Sequence, residues 1–253
     1  MKYKIVCKKD DLSQAVCAQL KVLINEAESD NPDIVFSIGG DGTFLDAVRR
    51  YLNRLNEVIF VAIHTGTLGF YTEYVPSELE TAIKNLKNIN KTSLNTYPLL
   101  EVDIDGDIDY ALNEVTLSAH HHLLEGDVFV NKDHLMTMRA NGLCISTPSG
   151  STAYNKSLKG AIMDPNVNAL QLALIAPFET VDSRMISPIV LSKKHTIIFK
   201  PKNKYIDVTF DRMFISKEQV KNIKISYSNK YVKYMINPKN SFIKRINEKF
   251  IGN

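Results

Sequence analysis

The chain lacks tryptophan and has only three cysteines among its 253 residues. Cys7, Cys17 and Cys144 are odd in number and have no CxxC spacing, which disfavours a disulfide framework or a zinc knuckle and predicts reduced thiols in a core. No apolar run approaches the ~20 residues that a membrane-spanning helix needs. The first residues follow a strand pattern without the features of a signal peptide, so we expect a cytoplasmic protein.

An excess of one charge is also missing. The formal net charge of +3 is too small to indicate a nucleic-acid partner. Charged residues make up 23% of the chain and apolar residues 44%, values typical of a globular protein. From Lys217 onward, nine Lys and Arg residues stand against Glu218 and Glu248. This basic segment is either a solvated lysine-rich surface or a region that steers an anionic nucleotide.

Up to about residue 95, strands alternate with helices. Apolar strands separated by helices predict a parallel sheet in a Rossmann-like α/β domain over 1–95, with ligands at the carboxyl ends of its strands. The predicted strands are Tyr3–Cys7, Asp33–Ile38 and Val58–Ile63, and the predicted helices are Leu12–Glu26, Thr43–Asn53 and Pro76–Asn88.

After residue 95, short alternating strands predict a mainly β, sandwich-like domain over 96–237. The pair Asp105-Gly106 supplies the positive φ of a type I′ turn between Leu99–Ile104 and Asp107–Leu117. Two helices are predicted here, Thr152–Lys159 and Val167–Leu174. A last helix, Ser241–Phe250, is predicted within a C-terminal segment, 238–253, that returns to the first domain. The other predicted strands are Val128–Val130, His134–Arg139, Leu143–Ser146, His195–Lys200, Tyr205–Phe210, Ile223–Tyr227 and Tyr231–Ile236.

The run Ser37-Ile38-Gly39-Gly40-Asp41-Gly42-Thr43 is the most informative segment of the chain. Glycine has no Cβ, so its backbone can lie directly against a ligand, often one that carries phosphates. A carboxylate in such a loop can hold a metal ion, accept a proton or cap the following helix. A plain tight turn between strand and helix is the structural alternative.

Four further segments are unusual for plain structure. Glycines and hydroxyls follow the third predicted strand at His64–Tyr71, and the polar pair Asn113-Glu114 interrupts an apolar strand. A polar turn is predicted between two strands at Arg139–Leu143. The hydroxyl-rich loop Ser146–Tyr154 leads into a predicted helix, whose free N–H groups suit a ribose or phosphate oxygen.

Together these motifs resemble the NAD kinases over nearly the whole chain, and most of all the small bacterial members. The GGDGT run at 39–43 is shared with lipid kinases and, more loosely, phosphofructokinases, whereas the stretch TPSGSTAY at 147–154 is far more specific. The resemblance implies ATP-dependent phosphorylation of the adenosine-ribose 2′-hydroxyl of NAD, giving NADP. It also implies an α/β domain followed by a β-rich domain, with NAD held between them and homodimers or homotetramers as the usual assembly.

By motif, the resemblance makes Asp41 the catalytic residue, places Gly39, Gly40 and Thr43 in a phosphate-binding loop, and implies a divalent metal, Mg²⁺, on the ATP phosphates. Asp41 is then either the base or a metal ligand, and we favour the base. Where the family has an aspartate before Gly142, this chain has Asn141, which puts the strength of binding on the nicotinamide side in question. The implied NAD contacts are Gly42, Phe70, Tyr71, Asn113, Glu114, Arg139, Asn141, Ser149, Thr152, Ala153, Tyr154, Ser157 and, through a looser alignment, Ala176.

Other functions stay open at this stage. A non-catalytic NAD(P)-binding regulatory protein is one alternative, and a lipid kinase that shares only the GGDGT run is another. The sequence does not choose between ATP and inorganic polyphosphate as donor, or between NAD and NADH as acceptor. The run His120-His121-His122 is interpreted as an exposed loop, since consecutive residues of an extended segment alternate in direction.

Overall fold

The structure of the chain is a computed structural model that describes residues 1–66, 69–89, 94–178, 186 and 188–252. The chain divides into two compact units, one containing Met1–Tyr97 and Lys230–Asn253 and the other containing Pro98–Asn229. Within the described ranges, no helix is long and apolar enough to cross a membrane.

The first unit carries most of the helices, and the second carries most of the strands. In chain order the elements are β1 (Tyr3–Cys7), α1 (Asp11–Ile24), β2 (Ile34–Gly39), α2 (Asp41–Arg50), β3 (Ile59–His64), a 3₁₀ turn (Pro76–Glu78), α3 (Leu79–Lys87), β4 (Leu94–Ile104), β5 (Asp107–Ala111), β6 (Glu114–Ser118), β7 (Leu124–Val130), β8 (Asp133–Ser146), a 3₁₀ turn (Ser149–Thr152), α4 (Tyr154–Ser157), β9 (Ala169–Pro177), β10 (Ile189–Ser192), β11 (Ile197–Pro201), β12 (Tyr205–Phe210), β13 (Met213–Glu218), β14 (Ile223–Met235), α5 (Phe242–Ile246) and a π-helical turn (Asn247–Ile251).

The first unit is built on a parallel sheet, as the sequence predicts. Strand β2 lies between β1 and β3, and Ile34 is opposite both Tyr3 and Ile59. The end of β14 adds a further parallel strand beside β3, with Lys233 opposite Ile59, so residues 230–237 are counted with this unit. Side chains of α1, α3 and the strands form its core, including Val16, Leu20, Phe36, Ile38, Val61, Ile63, Leu79 and Ile83.

The C-terminal segment also packs on the first unit. Helix α5 begins after Ser241, whose hydroxyl caps it by accepting the N–H of Lys244. The guanidinium of Arg245 lies against the carboxylate of Glu73 and donates to the carbonyl oxygen of Phe70. The predicted return of this segment to the first domain is therefore confirmed.

The second unit is mainly antiparallel sheet around the long strand β8. The first part of β8 pairs with β7, and the second part pairs with β6 on one side and β9 on the other. Strand β6 continues to β12 and then to β13. The predicted hairpin turn is confirmed, because Asp105 and Gly106 have φ values of 51° and 102°. The core of this unit includes Leu100, Val115, Leu117, Leu143, Ile145, Leu172, Phe199, Val208 and Ile223.

Three predictions for the second unit are wrong. Residues 167–174 are not a helix, because Ala169–Pro177 pairs with β8 and β10 and this pairing overrides the helix propensity of its Ala and Leu residues. The segment Arg139–Leu143 is not a turn but part of the continuous strand β8. The predicted strand Asp107–Leu117 is interrupted at Leu112-Asn113, where the backbone turns its N–H groups toward another loop.

The predicted helix Thr152–Lys159 is much shorter than expected. The 3₁₀ turn Ser149–Thr152 and the single turn α4 take its place. Hydroxyl groups compete for backbone partners in this stretch, as in the bond from Ser151 Oγ to the carbonyl oxygen of Pro148 (2.6 Å).

Candidate active site

The glycine run joins strand β2 to helix α2 through a backbone that only glycine fits at its first position. Gly39 has a φ of 154°, and a Cβ there would lie 2.2 Å from Oγ1 of Thr43. At Gly40, by contrast, a Cβ would meet no atom of the described residues within 4 Å. The fold therefore requires the first glycine but leaves open space at the second, as expected where a ligand approaches the backbone.

Asp41 is the first residue of α2, and its carboxylate is held by two backbone donors. Oδ2 accepts the N–H of Phe70 at 2.9 Å, and Oδ1 accepts the N–H of Tyr71 at 3.0 Å. A Cβ at Gly69 would lie 2.0 Å from Oδ1, so a glycine is needed for the loop to approach the carboxylate. We call residues 69–73 the clamp loop.

The segment after β3 lies beside the glycine run. The N–H of Thr65 donates to the carbonyl oxygen of Gly39 (3.3 Å), and Oγ1 of Thr65 is 2.6 Å from Oγ of Ser13. Among the residues that the structure describes, none comes within 4 Å of a Cβ placed at Gly66, as at Gly40. Thr67 and Leu68 lie outside the described residues.

In the clamp loop, the side chains of Phe70 and Tyr71 pack against other aromatic rings. Tyr71 is 3% exposed and stacks on Phe44, with ring centroids 5.0 Å apart. The ring of Phe70 packs against Phe242 and Phe250 at 6.3 and 5.3 Å. Within this unit it is thus the backbone of both residues that reaches Asp41, and their predicted contacts with NAD stay predictions.

In the second unit, the polar pair Asn113-Glu114 lies against the TPSGSTAY loop. The carbonyl oxygen of Asn113 accepts the N–H of Thr147 (2.9 Å), and Oγ1 of Thr147 donates to the carbonyl oxygen of Leu112 (2.6 Å). A Cβ at Gly150 would lie 2.0 Å from the carbonyl oxygen of Asn113. Two motifs some thirty-five residues apart in sequence thus form one site.

Glu114 is the most perturbed acidic group of this site. The residue is 8% exposed, and its Oε2 has no hydrogen-bond partner in the described part of the chain. Burial, aided by the charge of Asp211, raises its pKa to about 8, although a bond from the N–H of Tyr154 opposes the shift. Near neutral pH such a carboxyl can donate as well as accept a hydrogen bond, which suits a sugar hydroxyl.

The other predicted residues of this loop differ in exposure. Ser149 is 6% exposed, and its hydroxyl lies 3.0 Å from Oγ1 of Thr147 within the loop. Thr152 and Ala153 are half-buried, and Tyr154 and Ser157 are exposed. The exposed and half-buried residues are therefore the ones free to meet a ligand, while Ser149 shapes the loop.

Asp211 is a site residue that the sequence did not reveal. Its carboxylate accepts three consecutive backbone N–H groups, those of Leu112 (2.8 Å), Asn113 (2.6 Å) and Glu114 (3.2 Å). Its own N–H donates to the carbonyl oxygen of Glu114 at 3.0 Å. A positive φ of 52° in the turn between β12 and β13 turns it toward this segment. In the sequence, Asp211 shows only as part of a hairpin turn.

Three of the predicted NAD contacts, Arg139, Asn141 and Ala176, lie together on one exposed face of the second unit. Arg139 and Asn141 are two residues apart in β8, and both are exposed. The register places Ala176 of β9 opposite Asn141, between the pairs Ala140 with Pro177 and Gly142 with Ile175. Ala176 has a φ of 41°, which is strained for a residue with a Cβ. Nε of Arg139 is 2.9 Å from Oε1 of Glu125.

The basic C-terminal segment and the histidine run both have acidic side chains close to them. Ion pairs occupy five of the basic residues after 216, namely Lys217, Lys224, Lys239, Lys244 and Arg245, which favours an ordinary paired surface over steering. The three consecutive histidines are exposed, as predicted, and His120 lies 3.5 Å from Asp207. Throughout the described ranges, no group of three His, Cys, Asp or Glu side chains could hold a metal ion.

Comparisons with known proteins agree with this arrangement. The family model of the ATP-NAD kinase N-terminal domain matches residues 2–92, and that of the ATP-NAD kinase C-terminal domain matches residues 112–235. The chain is 39% identical to NAD kinase 1 of Bacillus cereus and 38% identical to NAD kinase 1 of Bacillus subtilis, in each case covering 100% of this chain and 99% of the relative.

Solved structures share the fold. A yeast NADH kinase complexed with NADH has a TM-score of 0.88 at 19% identity, over 100% of this chain and 88% of that one. An NAD kinase from Archaeoglobus fulgidus in complex with ATP has a TM-score of 0.79 at 24% identity, over 100% and 98%. Together with the family models and the curated relatives, these matches show that the chain belongs to the ATP-NAD kinase family.

Proposed function

We propose that Asp41 accepts the proton of the hydroxyl that is phosphorylated in the reaction of this family, the ATP-dependent conversion of NAD to NADP. In that reaction the adenosine-ribose 2′-oxygen forms a bond to the γ-phosphorus of ATP, the bond from that phosphorus to the leaving oxygen of ADP breaks, and the hydroxyl proton leaves. A sugar hydroxyl is a poor nucleophile, so a positioned base and charge neutralisation carry the catalysis.

The observation that carries this proposal is the way in which Asp41 is held. A carboxylate has about four acceptor positions, and the N–H groups of Phe70 and Tyr71 use one on each oxygen. The remaining positions are available to a substrate hydroxyl, and the two bonds fix the direction in which they point. An oriented carboxylate next to an open glycine backbone supports a base beside a phosphate site.

We assign the binding of the adenosine half of NAD to the second unit. Glu114 offers an unpartnered carboxyl oxygen, and Asn113 supplies the neighbouring amide. Thr152, Ala153 and Tyr154 form the accessible part of the adjoining loop. The exposed face that carries Arg139, Asn141 and Ala176 is assigned to the nicotinamide half.

A divalent metal, Mg²⁺, is part of the proposal. The described residues offer no cluster of three ligands, so phosphate oxygens of ATP would supply most of the coordination. Bound there, the ion would neutralise phosphate charge. We further propose a homodimer or homotetramer, as the family implies, and a cytoplasmic location, which the free thiols of Cys7, Cys17 and Cys144 support.

The test is a coupled assay on the purified chain. Incubation with NAD, ATP and Mg²⁺ should give NADP, detected with an NADP-specific dehydrogenase. We expect Asp41→Asn to lower kcat by about 10²- to 10⁴-fold, the range associated with a general base. Asp46→Asn is the matched control, because Asp46 is an exposed acid on the same helix.

NAD binding measured by calorimetry should survive in the Asp41→Asn variant, since the proposed adenosine contacts are intact. NADP formation at the unmodified rate by that variant would refute the base role. NAD binding without any NADP formation by the unmodified chain would instead point to a regulatory protein. The same assay, run with inorganic polyphosphate in place of ATP or with NADH in place of NAD, measures which phosphoryl donor and which acceptor the chain uses.

A further inference from the structure

A buried ion pair joins the C-terminal helix to the clamp loop. Nη2 of Arg245 lies 2.6 Å from Oε1 of Glu73, and these residues are 5% and 4% exposed. Nη1 of the same guanidinium donates to the carbonyl oxygen of Phe70. Arg245 therefore contacts both ends of the loop that holds Asp41.

The carbonyl that Arg245 binds belongs to the peptide group whose N–H binds Asp41. The carbonyl of Phe70 and the N–H of Tyr71 are parts of one planar peptide unit. The carbonyl side accepts from Arg245, and the N–H side donates to Oδ1 of Asp41 at 3.0 Å. Any rotation of that plane breaks both bonds together, so the guanidinium controls the orientation of an amide that positions the carboxylate.

Glu73 is itself fixed from two other directions. Its Oε2 accepts the N–H of Asn237 at 3.1 Å, and its backbone N–H donates to the carbonyl oxygen of Ala62 in β3 at 3.0 Å. The side chains of Asn237 and Asn240 both donate to its carbonyl oxygen. Burial raises the pKa of the Glu73 carboxyl, and the charge of Arg245 opposes that shift. The carboxylate is thus a rigid anchor from which the guanidinium reaches Phe70.

Stability alone is a weak reason for such a pair. Removing two charges from water costs several kcal/mol per ion, and well-packed apolar residues often replace a buried pair without loss of stability. The rings of Phe242 and Phe250 already attach the C-terminal segment to Phe70 by apolar contact. What apolar packing cannot supply is a directional donor for the Phe70 carbonyl.

We propose that Arg245 and Glu73 are positioning residues for phosphoryl transfer, which fix the peptide between Phe70 and Tyr71 and through it the carboxylate of Asp41. This inference rests on the proposed role of Asp41. It predicts that kcat depends on a side chain of the C-terminal helix that touches neither substrate nor reacting atoms.

The test separates this role from a general effect on folding. In Arg245→Met, kcat should fall about 10- to 100-fold, as expected for a small displacement of a catalytic group, while KM for NAD and for ATP stays within about threefold. The double variant Glu73→Met with Arg245→Met should regain much of the lost unfolding midpoint because no buried charge is left unpaired, yet its kcat should stay low. Lys244→Met, an exposed neighbour paired with Glu248, is the control.

Recovery of kcat together with stability in the double variant would overturn the inference, as would an unchanged kcat in Arg245→Met. Added guanidinium ion should partly restore kcat in Arg245→Ala, because it can occupy the space of the lost group, and it should do nothing for Lys244→Met. The assay of Asp41→Asn distinguishes the two levels of the proposal. If that variant is fully active, the base role itself fails, whereas an inactive Asp41→Asn beside an unaffected Arg245→Met overturns only the positioning role.

Discussion

Both units of the protein contain an aspartate bound by adjacent backbone N–H groups, but the direction of support is opposite. In the first unit, the N–H groups of Phe70 and Tyr71 hold the side chain of Asp41. In the second, the side chain of Asp211 holds the N–H groups of Leu112, Asn113 and Glu114. The same contact therefore positions a carboxylate in one case and a stretch of backbone in the other.

The number of donors differs between these two aspartates. Two N–H groups leave acceptor positions of Asp41 for a substrate, whereas Asp211 accepts three and is also bonded through its own N–H to Glu114. Asp211 is thus a structural carboxylate that presents the Asn113-Glu114 pair.

The first prediction tests this comparison where the effect is largest. In Asp211→Ala three backbone N–H groups lose their acceptor, and we expect a loss of about 3 kcal/mol in the free energy of unfolding and weaker NAD binding by about 10- to 100-fold. Asp105→Ala is the matched control. Asp105 also has a positive φ in a hairpin turn of the second unit, and its carboxylate accepts the N–H groups of Lys221 and Asn222.

Calorimetric titration with NAD measures the binding, and chemical denaturation measures the stability. Asp105→Ala should destabilise the fold while leaving NAD affinity within about twofold, since its partners lie outside the proposed site. Equal losses of NAD affinity in the two variants would mean that Asp211 acts through stability alone.

The second prediction concerns the pH dependence that Glu114 introduces. Its pKa is about 8 in the folded chain against an ordinary value of 4.5, so between these values the folded state retains a proton that the unfolded state has lost. Stability from this group is therefore complete below pH 4.5, falls by about 1 kcal/mol per pH unit as the pH rises toward 8, and is constant above. Glu114→Gln should remove this slope.

Urea denaturation between pH 5 and pH 8 measures the difference between Glu114→Gln and the unmodified chain. Glu125→Gln is the control, because Glu125 is a half-buried acid of the same unit whose carboxylate is paired with Arg139. A constant difference between Glu114→Gln and the unmodified chain across this pH range would show that Glu114 ionises normally in the folded state.

The third prediction uses the two glycines at the start of α2. Gly39→Ala should cost about 2 kcal/mol or more, because the added Cβ meets Thr43 and the φ of 154° disfavours it. Gly40→Ala should leave the thermal midpoint nearly unchanged, since its φ of −106° suits alanine and no atom in the described part of the chain lies within 4 Å of the new Cβ. If the open space belongs to phosphates, Gly40→Ala should still raise KM for ATP several-fold. An unchanged KM for ATP would remove Gly40 from the phosphate site.

The sequence predicted the first unit better than the second for a physical reason. Its strands are continuous apolar runs and its helices have clear starting residues, such as Asp10, which caps α1 by accepting the N–H of Ser13. Most predicted ends there fall within three residues of the observed ones. In the second unit, pairing over long sequence distances decides the structure, and the strand Ala169–Pro177 forms although its residues favour a helix.

In the candidate site too, the sequence predicted the local motifs but not the contacts between residues far apart in the chain. The motifs revealed Asp41, Asn113, Glu114 and the TPSGSTAY loop, because each is an unusual local cluster. Asp211 and Arg245 stayed hidden, because each acts on backbone groups far away in sequence, Asp211 on Leu112 and Arg245 on Phe70. A single polar residue in an ordinary turn or short helix gives no local signal of such a role.

The last prediction has the smallest effect and concerns strain at Ala176. A φ of 41° is less favourable for a residue with a Cβ than for glycine, so Ala176→Gly should raise the free energy of unfolding by about 0.5 kcal/mol. Ala161→Gly is the control, because Ala161 is exposed and has no positive φ, and this change should lower the free energy of unfolding. Strained residues cluster at binding sites. If this one helps to hold the nicotinamide half of NAD, Ala176→Gly should also raise KM for NAD about twofold while kcat is unchanged. A gain in stability with an unaltered KM would make the strain a by-product of the pairing between β8 and β9.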